Sequence, residues 1–544
     1  MKNDKNYFHR FVGYQIYPKS FRDSNGDGVG DVLGIIEKLP YLKKLGVDFL
    51  WLNPIYKSPQ IDGGYDISDY FAIDEMFGNL DELKRLFKEA HKLNFKIIMD
   101  LVVNHTSDQH PWFLASKKSK DNPYRNFYLW EDATANQMPN DWISFFGGST
   151  WTFDKTTNQA YFHVFAKEQP DLNWKNPELR AEIYKMIRWW LELGLDGFRL
   201  DAISHIQKKS WDFKIKSWRA NGPWQPFMNV TGIEDYMKEL KDIFNEYGAL
   251  TVGEASGVLS SDAPNWTDEN GYIDMIFELE QNVRRPDGSG DIYKFKQALI
   301  RWQKAQLERG WNALYLDNHD QPRSIDIFGD GSEISGKALA VAYMLLRGTP
   351  FIYQGQEIGM TNFPFESFTQ LRTIENIRHY KDLLKDLPET EALKNVTINA
   401  RDHARTPMQW DKTENSGFSK NMPWMEVNPN YETINVVENT SIFKLYQWLI
   451  KLRHDEFSIS DGLIKFYFEK HRTAFVYERN DFLILTNLGK TKANLKFDFK
   501  IEGKNYQQIL GSKKCELSSK MTLEGWEYQV FKKISQEENG NETN

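Results

Sequence analysis

Apolar and polar positions along the chain alternate between two periods. Eight short runs rich in β-branched and aromatic residues stand at 12–17, 47–52, 96–103, 197–200, 250–253, 273–279, 313–316 and 350–353. Between them lie amphipathic stretches of helical period. In the stretch at 177–193, Leu179, Ile183, Ile187, Trp190 and Leu191 fall on one stripe. Alternation of strand and helix predicts a parallel α/β architecture. Eight repeats over about 450 residues predict a (β/α)8 barrel, occupying 1–104 and 174–460. The largest gap, 105–173, reads as turns and short strands around 161–165 and predicts a small domain inserted after the third strand. A second long insertion, about 355–430, follows the eighth run. From 461 onward the pattern turns to alternating strands, at 463–468, 474–478, 482–487 and 494–499, which predict a C-terminal antiparallel β-sandwich over 461–544. The polar tail at 535–544 reads as disordered.

Composition narrows the class. The 544 residues carry a net charge of −8, which argues against a nucleic-acid partner, since phosphate-backbone binding needs a clustered positive field. No run reaches the 18 or more apolar residues of a membrane span, and no apolar segment follows the polar opening, so the expectation is a cytoplasmic protein without a membrane partner, a monomer or weak oligomer. The single cysteine, Cys515, can form neither an internal disulfide nor a metal cluster. Aromatics make up 15%, and flat apolar rings are the side chains that stack on sugar faces.

Candidate chemistry follows from position. In such a barrel the carboxyl ends of the strands face the site. The fourth run ends Arg199-Leu200-Asp201, the fifth Gly253-Glu254, and the seventh Asp317-Asn318-His319-Asp320, while the third ends at Asn104-His105. Strand residues two apart share a face, so Arg199 and Asp201 point together into the barrel mouth. Two carboxyl groups across a glycosidic bond are the minimal kit for glycoside hydrolysis, one ionised and one carrying a proton. On this reading Arg199 lowers the pKa of Asp201, and Glu254, less solvated, is shifted upward as the acid.

These residues carry a resemblance. DLVVNH at 100–105, GFRLD at 197–201, Gly253-Glu254 and Asn318-His319-Asp320 resemble the four conserved blocks of the α-amylase family of glycoside hydrolases, in the same order. QPDLNW at 169–174 is similar to a fifth block of its oligo-1,6-glucosidase and α-glucosidase branch. DGGYDI at 62–67 and ARTPMQW at 404–410 extend the match. The resemblance implies a retaining double displacement on a small oligosaccharide, with Asp201 as nucleophile, Glu254 as general acid/base and Asp320 as transition-state stabiliser. By the same analogy His105 and His319 bond glucose hydroxyls, Arg199 orients Asp201, and Asp62 with Arg405 closes a blind pocket. Tyr65 stacks beneath the sugar, and Phe165 and Gln169 line the same pocket. His205 divides evenly between substrate contact and helix surface. Trp189 and Trp190 read as helix packing.

No organic cofactor is implied. The loop at 23–31 sets oxygen ligands at alternate positions around glycines, a spacing that suits Ca2+. The branch holds one structural calcium in a similar loop, which here would use Asp23, Asn25, Asp27, the Val29 carbonyl and Asp31. The alternative is a metal-free turn in which Asp31 caps the next helix. For linkage, the residue after the nucleophile is Ala202. α-1,6-preferring members of the branch tend to have Val there, so the small side chain favours an α-1,4-glucosidase acting on maltose and short malto-oligosaccharides. Oligo-1,6-glucosidase activity is the alternative. A sucrose isomerase or transglucosylase and a non-catalytic transporter partner lie further off.

Overall fold

The computed structural model describes residues 6–216, 222–497 and 506–534. The eight predicted runs form the eight strands of one closed parallel barrel: β1 (Gly13–Ile16), β2 (Phe49–Leu52), β3 (Lys96–Val102), β4 (Gly197–Asp201), β5 (Leu250–Glu254), β6 (Met275–Phe277), β7 (Asn312–Leu314) and β8 (Thr349–Tyr353). Each pairs with its successor, and β8 closes on β1 with Phe351 opposite Gly13. Phe49, Trp51, Ile98, Val252, Phe277 and Phe351 fill the barrel interior. The alternate residues, such as Leu50, Leu52, Ile97 and Met99, pack outward against helices. Burial on both faces is why these strands read as continuous apolar runs.

The helices are set by their ends as well as their stripes. The helix Pro177–Leu193 starts where the Asn176 side chain accepts from the N–H groups of Glu178 and Leu179, with proline in the first turn, and stops at Gly194, whose φ of 112° is left-handed. It buries Leu179, Ile183, Ile187, Trp190 and Leu191, as the stripe predicts.

Between β3 and β4 the chain builds a three-stranded antiparallel sheet from Trp130–Asp132, Gln159–Phe162 and Trp151–Asp154. It returns to the barrel beside β3, where the Leu172 N–H donates to the Asn104 carbonyl at 2.8 Å. After β8 come the helices Ile374–Leu383, Glu389–Thr397 and Asp402–Arg405, which bring two arginines over the barrel mouth.

The chain ends in a five-stranded antiparallel sheet in the order Ile464–Tyr467, Ala474–Arg479, Phe482–Asn487, Tyr528–Lys533, Tyr506–Gly511. One face, with Tyr477, Phe482 and Ile484, joins the barrel core. The other, with Val476, Leu483 and Leu485, packs on a two-stranded sheet, Ala493–Lys496 with Lys520–Leu523. Among the described residues the sandwich is therefore unequal, five strands on two. Residues 498–499 of its predicted fourth strand and the tail at 535–544 lie outside the described residues. Two buried side chains of the sheet join this unit to the barrel: Arg479 donates to the Leu345 carbonyl and the Tyr477 hydroxyl to that of Ala342. No helix among the described residues is long and apolar enough to cross a membrane.

Candidate active site

A cavity of about 320 Å3 opens at the carboxyl end of the barrel, walled by Asp62, Tyr65, His105, Phe165, Asp201, Glu254 and Asp320 among others. The predicted site residues converge here from distant parts of the chain. Arg199 lies buried behind two of its wall residues. Its Nη1 lies 2.6 Å from Asp201 and 2.5 Å from Asp100, and its Nη2 lies 2.5 Å from Glu254. One guanidinium therefore spans the two carboxylates proposed to face each other. The chain turns sharply directly after β4: Ala202 is left-handed, φ 45° and ψ 30°, a conformation that costs an ordinary residue about 1–2 kcal/mol. The turn aims the Ala202 N–H at Glu254, 3.4 Å away.

The charge state of Asp201 departs from the sequence expectation. Burial raises its pKa well above the usual carboxylate value, Arg199 opposes this, and Glu254 and Asp100 add to the rise. Arg199 does not hold it down because the cost of burial outweighs its attraction, which it also extends to Asp100 and Glu254. Asp100 is likewise pushed up to about 6 by burial, with Arg199 opposing. Asp320 goes the other way: burial pushes upward, but Arg401, His319 and Arg405 hold its carboxyl far below the usual range. His105 and His319 are lowered by burial to about 4 and about 3, so both are neutral at pH 7.

The remaining contacts form a network beneath and around the cavity. Tyr65 stacks on His319 with ring centroids 5.3 Å apart, and its hydroxyl meets His319 Nε2 at 2.8 Å. His319 Nδ1 is bonded to Gln15 at 2.8 Å. Phe165 packs edge-on against His105. Gln169 stands behind the wall rather than in it: its amide donates to Asp62 at 3.1 Å and reaches His105 Nε2 at 3.1 Å. His205, left open by the sequence, lines the cavity, its Nδ1 bonded to the Phe227 carbonyl at 2.7 Å. Trp190 is fully buried in helix packing, and Trp189 packs on Phe71.

The expected Asp62–Arg405 clamp is arranged differently. Arg405 Nε donates to the His319 carbonyl at 3.0 Å, and its Nη2 pairs with Asp320 at 3.1 Å. Arg401 takes the place beside Asp62, 3.7 Å from its Oδ1 and 3.3 Å from Asp320, and its Nε is held by Glu375 at 2.8 Å. Sequence reasoning missed Arg401 and Glu375. The available signal was spacing: Arg401 precedes Arg405 by four, one helical turn on the same face. Asp62 Oδ1 is buried and has no hydrogen-bond partner, and burial raises this carboxyl to about 6 against the pull of Arg401 and Arg405. A buried acceptor left open toward a cavity is costly unless a ligand completes it.

The 23–31 loop lies outside this cavity. Its donors are all oxygen, the chemistry a hard cation takes. Asp23 accepts from the N–H groups of Gly26 and Gly28 and from the Ser419 hydroxyl. Asn25 accepts from Asp27 N–H and Asp27 from Val29 N–H. Asp31 caps the following helix through Gly34 N–H and binds Ser24. The carboxylates keep lone pairs beyond those used. Among the described residues no group of three or more His, Cys, Asp or Glu converges as a metal site, so a cation here needs the Asn25 amide oxygen and Val29 carbonyl to complete its shell.

Comparison with known proteins agrees with this geometry. The model of the alpha-amylase catalytic domain matches residues 15–462. Oligo-1,6-glucosidase of Parageobacillus thermoglucosidasius is 41% identical over 550 residues, covering 96% of this chain and 98% of the relative. Oligo-1,6-glucosidase of Halalkalibacterium halodurans is 45% identical, covering 86% of this chain and 87% of the relative. Among solved structures, trehalose-6-phosphate hydrolase of Bacillus licheniformis superposes with a TM-score of 0.90 at 37% identity, covering 97% of this chain and 100% of that one. Isomaltulose synthase of Protaminobacter rubrum superposes with a TM-score of 0.89 at 37% identity, covering 97% and 99%. The chain belongs to the alpha-amylase family. It is a glycoside hydrolase of α-glucosides, and the family needs no organic cofactor.

Proposed function

We propose that the chain is an exo-acting, retaining α-glucosidase that removes the terminal glucose from short α-1,6-linked oligosaccharides. The observation that carries the mechanism is Arg199 bridging Asp201 and Glu254, both in the wall of the cavity. A retaining pair stands about 5–5.5 Å apart, and retention is proposed on the chain's family membership. Asp201, as carboxylate, attacks the anomeric carbon while the Glu254 proton passes to the departing glycosidic oxygen. Glu254 then takes a proton from water, which attacks the same carbon and frees Asp201, so glucose leaves with its α configuration. Asp320, kept ionised by Arg401 and Arg405, faces the positive charge that develops on the ring. Neutral His105 and His319 and the open Asp62 oxygen bind hydroxyls. Asp201→Ala should lower kcat by about 10^3-fold or more in a folded protein, and near-normal turnover would remove Asp201 as nucleophile.

The linkage departs from the α-1,4 preference expected from Ala202. Relatives covering nearly the whole chain are named oligo-1,6-glucosidase, which favours α-1,6 bonds. The α-1,4 reading keeps one specific support, since Ala202 lies in the cavity wall. Relative kcat/KM on isomaltose and maltose decides between them. The expected result favours isomaltose, and a clear maltose preference reverses the assignment. The 23–31 loop is proposed to take one structural Ca2+ on the strength of its donor chemistry.

A further inference from the structure

A second cavity, of about 240 Å3, opens where the domain inserted between β3 and β4 meets the loop that follows β4. It shares no lining residue with the catalytic cavity. Trp211 supplies an indole to its wall, its N–H bonded to Glu131, while the Trp174 ring is buried behind it; Gln207 supplies an amide and Lys175, Lys208 and Lys209 three ammonium groups, and none of the lining residues is acidic. Lys208 is buried and spoken for in part: its Nζ lies 2.7 Å from Asp171 and 2.9 Å from Asn104 Oδ1. An ammonium has three N–H donors, so one remains. Asp171 neutralises Lys208, but among the described residues neither Lys175 nor Lys209 pairs with a carboxylate. The cavity is therefore cationic, aromatic-walled and supplied with neutral donors. At about 30 Å3 per water its volume equals about eight waters, the scale of one sugar ring with a substituent.

We propose that this cavity is a second small-molecule site, one that takes a monophosphorylated hexose. The lysines would meet the phosphate, the Trp211 indole the apolar face of the ring, and Gln207 its hydroxyls. The site is also wired to the first. Lys208 holds Asn104, the neighbour of His105, and Asp171, whose backbone bridges to His105, so occupancy bears on the wall of the catalytic cavity. Titration calorimetry on the full chain with glucose 6-phosphate, orthophosphate and glucose tests this. The expected result is saturable binding of the ester, weakened about tenfold or more in K175A/K209A, with that variant's kcat unchanged. Orthophosphate and glucose should each bind about tenfold or more weaker than the ester. Absence of saturable binding, or equal affinity in K175A/K209A, overturns the site. Orthophosphate matching the ester overturns the sugar component, and glucose matching it overturns the anionic one.

Discussion

Arg401 shows how a single side chain sets several charges at once. Its guanidinium faces Asp62, Asp320 and Glu375, and it is the strongest of the influences that lower Asp62 from the value burial alone would impose. Asp62 stands at about 6, so it takes a proton as pH falls through that region. Removing the positive charge raises that value further. Arg401→Gln should therefore move the acidic limb of the kcat/KM profile toward neutral pH and lower kcat/KM at pH 7 by about 10–100-fold, the scale of one charge-assisted hydrogen bond. An unmoved acidic limb, measured on the free enzyme, would separate Asp62 from catalysis. Asp201 gives the opposite lesson. Two residues of spacing place Arg199 beside it, and that much is legible in the sequence. The rise in its pKa is not, because it depends first on how completely Asp201 is buried and then on Glu254 and Asp100, which come from other strands.

At the scale of elements, the barrel strands are legible because burial on both faces leaves little room for polar residues, and the four carboxylate-bearing blocks are legible because each occupies a strand end. The arginine clamp is less so. Arg401 and Arg405 sit in a segment after β8; Arg401 meets Asp62, in the loop after β2 and more than 330 positions away, while Arg405 meets Asp320, and short-range pattern carries no information about which of two arginines one turn apart reaches across. The 23–31 loop is also more entangled than its sequence suggests. Gly28 has φ of 90°, and a Cβ there would lie 2.2 Å from the Met422 carbonyl oxygen, so the loop is pressed against 415–424. Asn421 donates to Gly26, and the Trp424 N–H to Gly28. A cation bound in this loop would stabilise a docked pair of segments rather than chemistry. Saturating chelator should thus lower the melting temperature while initial activity stays within about twofold, whereas a bound ion worth about 3–4 kcal/mol of folding free energy shifts the transition by several degrees. Equal loss of both at low chelator would make the ion part of the site.

For the whole molecule, the terminal sheet and the barrel share one core. Tyr477 and Ile484 belong to the same apolar cluster as the barrel helices, and Arg479 satisfies a carbonyl in the turn beyond the helix Glu333–Met344. Calorimetry should accordingly show a single transition, with no separate melting of the C-terminal unit. Arg479→Met, which strips the donor that the sheet extends to the Leu345 carbonyl, should lower stability by about 1–3 kcal/mol. Two resolved transitions, or an unchanged melting temperature in that variant, would mean the two units fold apart.

The segment after β8 lines the catalytic cavity with Glu375 and Arg401, yet it contributes no strand to the barrel. On the proposed reading, the carboxylates that break the bond and the arginines that bound the sugar are thus encoded in separable stretches. Exchanging 355–430 for a shorter connector, with Asp201, Glu254 and Asp320 untouched, is a route by which one scaffold could be retuned from trimming chain tips to accepting interior units.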